Sequence, residues 1–178
     1  MAEPAVKELV SRDQRIKARW RSFELRPEPV PTLDPDGDYL VSAWRNHVYP
    51  LAAKMKMNLK RPPIQPRSRL AHEAAKWADK HNRLEEYNLA LFRAFFEQGK
   101  NIGDIEILKG LASDLKLDAE SLYISLKNGD YTAMVLADEH EARQVGVRAV
   151  PAFVVNGKVR AAGVQSAGRL QELLSDQS

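Results

Sequence analysis

The side chains able to do chemistry in this chain are few. The chain has no cysteine. That removes a disulfide scaffold, a thiolate nucleophile, Cys-ligated zinc and an iron–sulfur cluster. There are four histidines. His72 opens HEAAK and His140 opens HEARQ, but neither run has the second histidine of a zinc-binding HExxH helix. With His47 and His81 they read as scattered surface or half-buried residues, and no metal site is expected. GKNIGD has too few glycines, and no strand before it, to cradle a phosphate. No G-x-S-x-G elbow surrounds any serine, and nothing raises a Ser/His/Asp triad above background. No catalytic residue is assigned, and no cofactor is expected.

Two clusters have both a chemical and a plain reading. Lys54, Lys56, Lys60, Arg61, Arg67 and Arg69 flank the PPIQP loop. They could meet a phosphate or an acidic partner, but a solvated loop and helix end is the simpler reading. Nucleic-acid binding would require stacking aromatics among them, and none are there. Tyr87, Leu91, Phe92, Phe95 and Phe96 fall at helical spacing and read as core. The sharpest local signal is Val150-Pro151. A proline at the head of a strand removes a ladder donor. The bond is either an ordinary trans start to a strand or a cis bond that leaves the Val150 backbone pointing outward.

The elements that position these residues follow from periodicity. Residues 2–12 predict a short helix with Ala5, Leu9 and Val10 on one face and Pro4 in its first turn. IKARWRSFEL, residues 16–25, alternates like a half-buried strand, with a bulge near Ser22. The proline-rich RPEPVPTLDPDGD must be an extended loop. Helical spacing then runs from Asp38 to about Met57, with Pro50 expected to kink or divide it. Further helices are predicted over 68–81 and 84–97, after the N-caps Asp104 and Asp118, and over 130–145 with Gly146 at its C-terminus. AVPAFVVNGKVRAAG is two apolar runs joined by Asn156-Gly157, the sequence of a type I′ hairpin. A last helix over 166–175 starts from Ser166 and buries Leu170, Leu173 and Leu174.

At 178 residues and 20.1 kDa the chain is one ordinary domain, or a small domain with an insertion. A hydrophobic content of 44% supports a core, and a net charge of +3 is too small to argue for nucleic acid. No apolar run approaches the ~20 residues of a membrane span. The first residues, MAEPAVKELVSRDQ, lack the basic and apolar regions of a secretory signal. The expectation is a soluble, cytoplasmic chain with no membrane partner.

GVRAVPAFVVNGKVRAAGVQSAGRLQELL closely resembles the C-terminal ββα half of the DsbA-like thioredoxin-fold proteins. Gly146, Val150, Pro151, Phe153, Gly157 and Gly163 stand where that pattern places them. IKARWRSFELRP is similar to the second thioredoxin strand, and YNLALFRAFFEQGKNIGDIEILKGLASDLKLD to the family's helical insertion. The resemblance covers nearly the whole chain and looks closest to a cytoplasmic branch that includes polyketide-biosynthesis-associated members. It implies an α/β, thioredoxin-like fold with a large all-helical insertion. Residues 1–35 and 130–178 would form the thioredoxin-like domain and 36–129 the insertion. It also implies that Val150-Pro151 is cis and that Ala149, Val150 and Pro151 meet a protein or peptide substrate.

One departure bears on activity. The family opens with a strand and a Cys-x-x-Cys motif at the start of its first helix, whereas MAEPAVKELV resembles the part of that helix after the motif. The first strand and the motif are absent, as in a misassigned start, a fragment or a degenerate relative. The resemblance implies a thiol–disulfide oxidoreductase, and the lack of cysteine implies that this chain is redox-inactive. The alternatives are a glutathione-using relative of the kappa-class transferase or hydroxychromene-carboxylate isomerase type, and a non-catalytic peptide-binding module. Without a first strand, Ile16, Ala18, Trp20 and Phe23 would line an unpaired edge open to self-association.

Overall fold

The structure is a computed structural model and describes residues 1–175. In chain order the elements are α1 (Ala2–Arg12), α2 (Asp38–Ala43), a π-helical turn (Trp44–Val48) and α3 (Tyr49–Lys54). Then come α4 (Arg69–Lys80), α5 (Leu84–Phe96), α6 (Ile105–Asp114), α7 (Ala119–Asn128) and α8 (Thr132–Gln144). The hairpin strands β1 (Ala152–Val155) and β2 (Lys158–Ala162) and the last helix, α9 (Ala167–Ser175), complete the chain. Two compact units divide it. One holds residues 1–25 and 138–178, the other residues 26–137.

In the first unit, α1 packs on α9 through positions one helical turn apart. Ala5 and Leu9 meet Ala167, Leu170 and Leu173, and Ile16, Phe153 and Ala161 pack against this cluster. Ser166 caps α9, its Oγ accepting the Arg169 N–H at 3.1 Å. The hairpin register pairs Ala152 with Ala162, Phe153 with Ala161, Val154 with Val159 and Val155 with Lys158. Arg160 is therefore the extra residue of a bulge. Asn156 (φ 49°) and Gly157 (φ 71°) both take the left-handed backbone that a two-residue I′ turn demands.

The predicted strand over 16–25 is not formed. Among the described residues the segment has no ladder on either side. Further along it, backbone N–H groups go to side chains instead. The Ser22 N–H donates to Asp138 Oδ2 at 2.8 Å, and the Glu24 N–H donates to Glu139 Oε1 at 3.3 Å. Arg21 Nη1 donates to Asp138 Oδ1 at 2.7 Å. Residues two apart in extended backbone present their N–H groups to the same side, so two adjacent carboxylates on α8 can serve both. Asp138 is 4% exposed and Glu139 fully buried. Arg143 donates to the second oxygen of Glu139 at 2.8 Å.

In the second unit, α4 contributes Ala71, Ala74, Trp77 and Ala78 to the core. Tyr87, Leu91 and Ala94 of α5, Leu108, Leu111 and Ala112 of α6, and Leu122 and Leu126 of α7 complete it. Asp104 and Asp118 cap α6 and α7, accepting the Glu106 and Ser121 N–H groups, each at 2.9 Å. Buried Glu73 on α4 accepts the Thr132 hydroxyl at 2.8 Å. Of the aromatic stripe, Tyr87 is fully buried whereas Phe92 is 40% exposed. The Tyr87 hydroxyl donates to Leu108 O at 2.8 Å, and burial pushes its pKa well above the ordinary tyrosine range. Tyr87→Phe removes this bond without opening a cavity. A loss of about 1 kcal/mol is expected in urea unfolding followed by helical circular dichroism. A change within error of zero would show that the bond contributes nothing net.

The break in the 38–57 helix precedes Pro50 rather than sitting at it. Pro50 has no N–H to continue the ladder. One residue earlier the Tyr49 N–H already reaches Trp44 O, five residues back, so the ladder widens before the proline. Two arginines of the basic cluster have structural work. Arg67 Nη1 donates to Arg26 O at 2.8 Å and to Val30 O at 2.5 Å, and Arg61 donates to Pro35 O and Asp36. They hold the proline-rich loop, in which Glu28-Pro29 is cis. Among the described residues no strand falls between 36 and 129, and no helix is long and apolar enough to cross a membrane.

Candidate functional site

The backbone around Val150 is positioned from both sides by local hydrogen bonds. Upstream, α8 ends in a Schellman motif. The Val147 N–H donates to Ala142 O at 2.9 Å and the Gly146 N–H to Arg143 O at 3.1 Å. Gly146 has φ 86°, a conformation that a residue with a Cβ rarely adopts. Val147 is buried, and Arg148, Ala149 and Val150 then emerge exposed. Downstream, the Gly163 N–H donates to Pro151 O at 2.8 Å. This bond extends the hairpin one step beyond the Ala152–Ala162 pair and fixes where the proline sits.

Val150-Pro151 is cis. Val150 is 44% exposed, and its own N–H and C=O have no partner among the described residues. An exposed residue with an unpaired donor and acceptor, flanked by a hydrogen-bonded proline and a ladder, is a short free strand edge. Val154, four residues on in β1, is likewise 44% exposed. Ala149, Val150 and Pro151 thus lie together on consecutive backbone.

The other candidate residues do not join them. His47, His81 and His140 are exposed and His72 half-buried. Among the described residues no three His, Asp or Glu side chains are grouped to hold a metal ion. Sequence reasoning missed Asp138 and Glu139. Their signal was present: Val135, Asp138 and Glu139 are the buried positions of α8, spaced three and four apart, so two of the three are acids.

A family model described as the DSBA-like thioredoxin domain matches residues 1–175. This chain belongs to that family. Uncharacterized protein YwbO of Bacillus subtilis (strain 168) is 34% identical over 151 residues, covering 81% of this chain and 74% of YwbO. Among solved structures, the probable DsbA oxidoreductase SCO1869 of Streptomyces coelicolor aligns with a TM-score of 0.77 at 22% identity. The alignment covers 99% of this chain and 85% of that one. A Nitrosomonas europaea protein classed with the protein disulfide isomerases aligns with a TM-score of 0.71 at 14% identity, covering 97% and 87%. The DsbA-like fold is thus thioredoxin-like α/β, mostly helical, with a small antiparallel two-stranded sheet among the described residues. In this DsbA-like chain the Val150 backbone is exposed, and the sequence contains no cysteine.

Proposed function

We propose that this chain carries the substrate-binding half of a DsbA-like oxidoreductase, with Ala149, Val150 and Pro151 receiving a protein or peptide substrate, and that it performs no redox step of its own. The observation that carries the reading is the unpaired backbone of exposed Val150 beside a proline held by Gly163. An extended peptide laid along it gains main-chain hydrogen bonds to the Val150 N–H and C=O, as in strand addition. The apolar side chain of Val150 adds a small contact area. Thiol–disulfide exchange proceeds through a mixed disulfide and needs a thiolate. The chain has four methionines and no cysteine, and a thioether cannot form that bond. Residues 36–129 are, in this proposal, the insertion within the thioredoxin-like domain.

In an insulin-reduction assay with dithiothreitol, the purified chain is expected to leave the rate at the uncatalysed value. The Val150 and Gly163 amide resonances are expected to shift when an unstructured peptide is added. Turnover above background, from a preparation free of thioredoxin, would overturn the redox-silent reading. Peptide shifts that avoid Val150 would overturn the binding site. The extended 16–21 stretch, which has no ladder, offers a second backbone edge for self-association. Size-exclusion chromatography at micromolar concentration reads this as a dimer peak.

A further inference from the structure

In the unit formed by residues 26–137, a cleft of about 480 Å³ opens where the end of α4 meets α7. Its size falls in the range of small-molecule sites. Trp77, His81 and Tyr131 form its aromatic wall, and Asp118, Ser125 and Asp130 supply polar groups. The Trp77 and His81 rings lie 4.2 Å apart, and His81 Nδ1 is 2.8 Å from Trp77 O. A carbonyl oxygen only accepts, so Nδ1 carries the hydrogen, and in the neutral ring Nε2 is left as an acceptor. Ser125 is only 6% exposed, and its Oγ has no hydrogen-bond partner. Buried hydroxyls without partners are rare, and this one belongs to a residue lining a cleft. Asp118 uses one oxygen to cap α7. The Asp130 carboxylate has no ion pair or hydrogen bond among the described residues, whereas neighbouring Glu120 is held by Lys109.

The polar groups left over share one property. Two carboxylates, a hydroxyl oxygen and an imidazole nitrogen can all accept, and no lysine or arginine lines the cleft. A ligand that complements them brings several N–H donors and positive charge, and its cation is attracted to the ring of half-buried Tyr131 as well. We propose that the cleft bounded by Trp77, Ser125 and Asp130 binds an organic cation, an alkylammonium or guanidinium group on a short apolar stem. The stem has Ile124, 56% exposed, to lie against. The cation comes either from a free amine or from a basic side chain of another protein. The chemistry is the same, and the choice of probe separates the two.

The test is an amide and indole N–H titration of the full chain with putrescine, with N-acetyl-lysine methylamide, and with 1-pentanol as the uncharged control. Both cations are expected to give saturable shifts at Trp77, Ser125, Asp130 and Tyr131, with tighter binding by putrescine identifying a free amine and by the lysine derivative a side chain. Asp130→Asn is expected to weaken binding about tenfold, and Ser125→Ala severalfold. Asp130 is exposed and its carboxylate makes no bond among the described residues, so its variant is expected to keep the parent spectrum. Equal shifts with pentanol, no saturation with either cation at millimolar concentration, or unchanged affinity in Asp130→Asn would each overturn the proposal.

Discussion

Asp138→Ala is expected to release residues 21–24 from α8 and to destabilise the unit formed by residues 1–25 and 138–178 by about 2–4 kcal/mol. The carboxylate is buried and serves two donors at once, the Ser22 N–H and the Arg21 guanidinium. Ser22 is 5% exposed, so its N–H cannot turn to water when the acceptor is removed. Charge-assisted bonds contribute about 1.5–3 kcal/mol each, and an orphaned buried donor adds its own desolvation cost. Hydrogen exchange checks this locally. Protection at Ser22 should collapse in Asp138→Ala while Leu108 and Leu122 keep theirs. Asp138→Asn, which retains one acceptor oxygen, should restore part of it. Unchanged exchange at Ser22 in the alanine variant would show that the segment is held by apolar contacts alone, chiefly through Ile16.

Trp77→Ala is expected to cost the helical unit about 3–5 kcal/mol, the usual range for emptying a buried aromatic site. Trp77 is 2% exposed and sits among Ala74, Ala78, Tyr87 and the α7 leucines. Its neighbours on α4 are alanines, which are too small to swing into the space left behind. His81 also loses the ring it stacks on. Urea unfolding with helical ellipticity as the signal measures the loss. A change below about 1 kcal/mol would mean that the helices close over the cavity.

Much of the helical architecture was legible because its causes are local. Asp104, Asp118 and Ser166 cap helices with atoms two or three residues away, Gly146 closes α8, and Asn156-Gly157 has the backbone freedom its turn requires. Every one of these interactions is completed within about six residues of sequence. The Val150-Pro151 step was not settled locally: its neighbours left cis and trans open, and the resemblance to the DsbA-like family implied the cis bond that the structure has. The break in the 38–57 helix was half legible. Pro50 announced an interruption, but the wider π turn at Trp44–Val48 answers to how the preceding carbonyls find donors.

The 16–25 segment marks where sequence reading ends. Its alternation of apolar and polar residues describes a strand, yet a strand exists only when a second backbone lies beside it. That partner is a tertiary fact. Here the acceptors come from Asp138 and Glu139, more than a hundred residues away, through side chains that no periodicity assigns to a ladder. The same holds for the cleft at Trp77. Ser125 and Asp130 are ordinary polar residues in the chain. Only the packing of α4 against α7 buries one without a partner and leaves the other beside it unneutralised. Sequence by itself determined the local backbone, the caps, the hairpin and the absence of a thiol. Tertiary structure alone decided which polar groups face each other, because hydrogen-bond partners far apart in the chain meet only when apolar packing has brought their elements together.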